Sequence, residues 1–116
     1  MSQLEALGLT IAVEAIVALA LLLGARWVPR AEIGRAAAMV TAASLLSHPL
    51  AWQANTVWLR ALPFGERAAV IELAVVVVET VVLALGLRID WWRAAVVAFA
   101  ANAASFALGL WLARWW

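Results

Sequence analysis

No cysteine occurs anywhere in this 116-residue chain. Disulfides, thiolate metal sites and cysteine nucleophiles are therefore excluded, and the redox compartment leaves no mark on the sequence. Charge is equally scarce. Only 13% of residues are charged, about half of the roughly 25% usual in soluble domains. Every one of the eight basic residues is arginine, and the formal net charge is +1, which gives nucleic acid no electrostatic footprint to bind. Proline occurs three times and histidine once. What is abundant is apolar: 68% of the chain is hydrophobic, more than a soluble domain of this length can cover. A lipid bilayer is the surrounding that such a composition calls for.

Four apolar segments, at about 7–28, 34–59, 67–87 and 91–113, are each close to the ~20 residues that span a bilayer. The amino-terminal stretch lacks a basic n-region and carries Glu5, so it reads as a retained helix rather than a secretory signal. "PRAEI", "RALPFGE" and "LRID" join the segments. Connections this short make neighbouring helices antiparallel and leave no room for a soluble domain. The expected fold is all-α: one polytopic membrane domain over residues 1–116, a four-transmembrane-helix antiparallel bundle. Seven of the tryptophans, Trp27, Trp58, Trp91, Trp92, Trp111, Trp115 and Trp116, fall at expected helix ends, where amphipathic rings favour the headgroup region. Arg26, Arg30, Arg35, Arg88 and Arg93 belong to one side and Arg60, Arg67 and Arg114 to the other. That bias puts both termini on the extracytoplasmic side of the cell's inner membrane. Small residues recur at helical spacing, as in Ala101, Ser105 and Gly109, a pattern that lets helices approach closely within one bundle or between copies.

Glu14, His48, Glu72, Glu79, Asn102 and Ser105 all fall inside these apolar segments. A charged group at a helix centre costs roughly 2.5–3.5 kcal/mol on insertion, so such residues face other helices or a water-filled space. Glu72 and Glu79 share a face by their spacing, as do Asn102, Ser105 and Gly109, and as do Thr41, Ser44, His48 and Asn55. Counting ~1.5 Å per residue from the amino-terminal side places Glu14 and Glu72 in one layer, roughly 9–11 Å deep. His48, Glu79 and Asn102 fall in a second, roughly 16–19 Å deep. His48 is followed by Pro49, which frees the carbonyl of Leu45 and is expected to kink the second helix, aiming the histidine inward. Ser44, the histidine layer or a water would satisfy that carbonyl.

The segments "VEAIVALALLL", "SHPLAW", "IELAVVVVET" and "ANAASFALG" together resemble an uncharacterised family of small four-helix bacterial and archaeal membrane proteins. Its members share a glutamate on the first helix, an Asn/His-Pro element on the second, paired glutamates on the third and Asn-x-x-Ser-x-x-x-Gly on the fourth. The resemblance covers nearly the whole chain and implies a bundle with an internal polar cluster, without naming its chemistry. Glu14 is also similar in place to the first-helix glutamate of small multidrug exporters, whose remaining pattern is missing. Ser44, His48 and Trp52 resemble the pigment-ligating His-x-x-x-Trp of light-harvesting polypeptides, from which Pro49 and three further spans depart.

The function expected from these residues is non-enzymatic: a buried Glu/His/Asn cluster that binds a proton, a cation or a small solute, for transport. His48 and Glu79 form the central pair, and are also the candidates for a divalent metal whose identity the sequence leaves open, as it does any cofactor. Glu14 and Glu72 form the access layer, with Asn102 and Ser105 as neutral ligands. One alternative is a small accessory subunit of a larger membrane complex, or a homo-oligomer, with His48 holding a pigment or haem. Another is an intramembrane enzyme with Glu and His as acid and base. Its only nucleophile cue is Ser47 beside His48, and buried serines commonly bond their own helix.

Overall fold

The computed structural model describes residues 2–114, so Trp115 and Trp116 lie outside the described residues. Four helices account for almost all of it: α1 (Gln3–Gly24), α2 (Ile33–Gln53), α3 (Phe64–Leu87) and α4 (Trp91–Ala113). No strand occurs among the described residues. Three of the helices, α1, α3 and α4, are long and apolar enough to cross a membrane. The expectation of four such segments differs at α2, whose length carries Arg35, Thr41, Ser44, Ser47, His48 and Gln53. Ser44 and Ser47 are buried against the other helices, Thr41 and His48 are half-buried, and Arg35 and Gln53 near the two ends of α2 are exposed.

Each helix end has a local cause. Ser2 and Glu5 close a capping box: the Ser2 hydroxyl accepts from the Glu5 N–H at 3.2 Å, and the Glu5 carboxylate accepts from the Ser2 N–H at 2.7 Å. Two of the orphan donors of α1 are thereby satisfied, and the helix starts at Gln3, four residues before the apolar run. It also ends earlier than expected, at Gly24. Arg26 takes a left-handed conformation (φ 58°), while the Trp27 N–H bonds the Leu22 carbonyl and the Arg26 N–H bonds that of Leu23. This is a Schellman termination with arginine where glycine is usual. Arg88 closes α3 in the same left-handed region (φ 55°).

The helices form a ring in which α1 packs on α2, α2 on α3, α3 on α4 and α4 back on α1. Neighbours run antiparallel, as the short connections imply. Along this ring the bundle has two unlike halves. In one half Ala18, Leu22, Ala36, Val40, Leu83, Ala84, Leu87, Ala94, Val97, Ala98 and Ala101 make a continuous buried core. Trp27 and Trp92 meet edge to face at that end, with centroids 5.4 Å apart. Arg93 lies over both rings and pairs with Asp90 at 3.6 Å. We call this the sealed half. The other half holds the polar residues and a cavity.

The distribution of residue sizes is inverted relative to a water-soluble bundle. Alanine, serine, asparagine and glutamate share the interior with Leu22, Val40, Leu83, Leu87 and Val97, while Leu73, Leu85 and Phe99 are 68%, 66% and 67% exposed. Small interior residues allow close approach of the backbones. At Gly86 the missing side chain makes room for Met39 of α2, whose sulfur a Cβ at that position would meet. Gly86→Val is expected to cost about 1–3 kcal/mol through overpacking. Met39→Ala in the same chain should return most of that loss in detergent unfolding. A double variant no more stable than Gly86→Val alone would refute the contact as the cause.

Pro49 lies inside α2. The helix runs through Pro49 to Gln53 and changes to a π-helical turn at Ala54–Trp58, with the Leu59 N–H on the Ala54 carbonyl at 2.8 Å. Proline has a helical φ, but it removes the bond to the Leu45 carbonyl and its ring crowds that carbonyl. Side-chain bonds from Ser44 and Ser47 tie α2 to α1 and α3 just before that point, which keeps the helix in register. Ser44 donates to Glu14, so its single proton does not serve the Leu45 carbonyl.

Candidate functional site

A belt of hydrogen bonds crosses the middle of the bundle and joins all four helices. Glu14 on α1 accepts from Ser44 of α2 at 2.6 Å through Oε2 and from Ser105 of α4 at 3.0 Å through Oε1. Glu79 on α3 accepts from Ser47 of α2 at 2.8 Å through Oε1 and from the Asn102 amide of α4 through Oε2. The same Asn102 nitrogen donates to the Ala98 carbonyl at 2.8 Å. A carbonyl only accepts, which fixes the Asn102 amide with its nitrogen toward Glu79. All but Ser105 of these six residues are buried. Each carboxylate is held at both oxygens, as buried polar groups require.

Above the belt, toward the end where α1 and α3 begin, lies a cavity of about 490 Å³. Glu14, Ser47, Asn102 and Ser105 form its floor. Its walls include Thr10 from α1, His48 and Trp52 from α2, Glu72 from α3, and Phe106 from α4. Asn55 in the π-helical turn reaches the same space, consistent with the habit of π-turns to reshape a helix beside a cavity. Because the other half of the bundle is packed, this is a cup with one mouth rather than a channel.

The structure brings Glu14, Glu79, Asn102 and Ser105 together in the belt. It places Glu72 and His48 on the cup wall instead. The layering differs from the sequence count: Glu14 joins the belt with Glu79 and lines the cup with Glu72. Because α1 starts at Gln3 and α3 at Phe64, Glu14 lies roughly 16 Å along its helix, between Glu72 at roughly 12 Å and Glu79 at roughly 22 Å along theirs. The expected His48–Glu79 pair does not form, because the Glu79 oxygens bond Ser47 and Asn102. His48 stacks toward Trp52 with centroids 6.2 Å apart, and its Nε2 is buried without a hydrogen-bond partner. Successive helix residues point ~100° apart, so Ser47 and His48 do not both face Glu79. Ser44 and Ser47 are the belt members that were not among the expected ligands: Ser44 stood only in the inward stripe of the second helix, and Ser47 only as a nucleophile cue beside His48. Their signal was the Ser44-x-x-Ser47 spacing, opposite the outward-facing Leu45, Leu46 and Leu50. Pro49 is itself exposed. Among the described residues no three His, Asp or Glu side chains converge as a metal site.

Searches for similar proteins found no matching family model, no matching curated protein and no matching solved structure.

Proposed function

We propose that the protein is a multi-pass protein of the inner membrane whose cup binds a proton, a cation or a small solute from one side of the bilayer. The inverted distribution of residues supports the membrane placement: large apolar side chains such as Leu73, Leu85 and Phe99 face out, and small or polar ones share the interior with a few leucines and valines, the arrangement that packing in lipid favours. The arginine bias directs the mouth of the cup to the extracytoplasmic side. The observation that carries the binding reading is the cup of about 490 Å³ that all four helices line and that holds two carboxylates, Glu14 at its floor and Glu72 on its wall. Cavities of this size ordinarily hold small ligands. In this reading the belt is a rigid floor, and Glu72 and His48 are the groups with capacity left for a ligand.

Dicyclohexylcarbodiimide tests it, because this apolar reagent attacks carboxyl groups that it can reach from lipid or from a cavity. In nanodiscs, mass spectrometry is expected to find Glu72 modified ahead of Glu14 and Glu79. A panel of inorganic cations, alkylamines and neutral polar solutes is then added in turn. At least one class is expected to slow modification of Glu72 about tenfold by occupying the cup. A panel in which no member changes the rate would overturn the reading.

A further inference from the structure

Glu72 differs from the other two interior carboxylates in having nothing to hold it. It is half-buried, lines the cup, and makes no hydrogen bond or ion pair with any described residue. Arg67, the nearest cation before it on α3, is engaged elsewhere. Its guanidinium donates to the Arg60 carbonyl at 3.4 Å and lies 5.8 Å from the centroid of the Phe64 ring.

Glu72 also stands where two hollows meet. Besides the cup, it lines a groove of about 340 Å³ between α3 and α4, together with Asn102 and Phe106. The rest of that groove is apolar: Ala69, Leu73, Val76, Phe99 and Ala103. Phe106 lines both hollows with Glu72, and Trp52 and Phe64 are further aromatic residues on the cup wall. Ring faces attract cations, more strongly where water is excluded. The buried, unpartnered Nε2 of His48 is a further polar atom in the cup.

Resting on the cup as a binding site, we infer that its ligand is an amphipathic organic monocation, an amine with an apolar body. The ammonium is held by Glu72 on the cup wall that these aromatic residues share, and the apolar body lies in the groove between α3 and α4. A small inorganic cation has no use for an apolar groove. A divalent ion takes several hard oxygen or imidazole ligands at once, and no such group of three acidic or histidine residues is present among the described residues. A neutral apolar molecule would leave Glu72 without a counter-charge. The groove opens on the outer face of the helix pair, so such a ligand reaches Glu72 from the lipid as well as through the mouth.

The test measures binding of 4-phenylbutylamine and of the neutral 4-phenylbutanol to the protein in nanodiscs, with empty nanodiscs subtracted. The amine is expected to bind saturably and at least about tenfold more tightly than the alcohol. Glu72→Gln should remove that advantage and leave alcohol binding unchanged, while Glu66→Gln, at an exposed site on the same helix, should alter neither. Ala69→Trp, which fills the groove, should weaken phenylbutylamine but not methylamine. Equal binding of amine and alcohol, or an unaltered amine affinity in Glu72→Gln, overturns the inference. If inorganic cations alone slow the carbodiimide reaction at Glu72, the cup stands as a cation site and the organic ligand falls. If nothing slows it, both fall.

Discussion

Asn102→Asp, which exchanges one nitrogen for an oxygen, is expected to destabilise the bundle by about 2–4 kcal/mol. The Asn102 amide donates both to Glu79 and to the Ala98 carbonyl. Aspartate would set an acceptor against two acceptors in a buried place, and either both carboxylates stay charged side by side or one must hold a proton. Glu79→Gln is expected to stay within about 1 kcal/mol. Its amide oxygen can face Asn102 while its nitrogen donates to Ser47, whose hydroxyl turns from donor to acceptor. Glu14→Gln should be equally mild, since both partners of Glu14 are serine hydroxyls. Glu79→Gln placed in the Asn102→Asp chain should recover about half of the loss, because the glutamine amide then supplies the missing donor and only the Ala98 carbonyl remains unserved. Unfolding in mild detergent, followed by tryptophan fluorescence, reads all four chains. An Asn102→Asp protein as stable as the parent would show that the belt does not hold the helices together.

The second large effect is one of access, and the absence of cysteine makes it directly measurable. Thr10→Cys, Ala68→Cys and Ala113→Cys each place a thiol on the wall of the cup. Ala36→Cys and Ala98→Cys place one in the sealed half, where the parent residues are 0% and 1% exposed. A water-soluble maleimide reacts with the thiolate, which forms only where water reaches the sulfur. The cup positions are expected to react about 100-fold faster than the sealed ones. In sealed vesicles they should react from one face of the membrane alone. Reaction at Ala98→Cys as fast as at Ala68→Cys would mean that the bundle is open from end to end, and the one-mouthed cup would be abandoned.

How much of this was legible before the fold can be traced residue by residue. Helices α1, α3 and α4 follow from apolar runs of spanning length, α2 from a less apolar run between short turns, and Pro29, Pro63 and Asp90 stand just outside the helices as such signals predict. Glu14, Glu79, Asn102 and Ser105 stood out because polar side chains are conspicuous in an apolar chain. Their serine partners on α2, Ser44 and Ser47, did not stand out as ligands. Serine is small enough to pass for a packing residue, and Ser47 became meaningful only once Glu79 of another helix lay against it. The depth of Glu14 was misjudged because hydropathy marks where lipid-facing residues begin, whereas a capping box decides where a helix begins.

The chain alone determined its class and its composition by position: an all-helical protein, apolar outward, with a few ionisable groups that have to turn inward. These follow from local rules, because helix periodicity and the cost of exposing polar groups act within each segment. Only the tertiary structure decided which inward groups meet. It paired Glu14 with Ser44 and Ser105 and Glu79 with Ser47 and Asn102, packed one half with alanine, leucine and valine and hollowed the other, and left Glu72 and His48 on the wall of a cup. The reason is geometric. A rotation of ~100° per residue and a rise of ~1.5 Å mean that a shift of one residue in the register between two helices exchanges one set of partners for another. No pattern within a single helix carries that register.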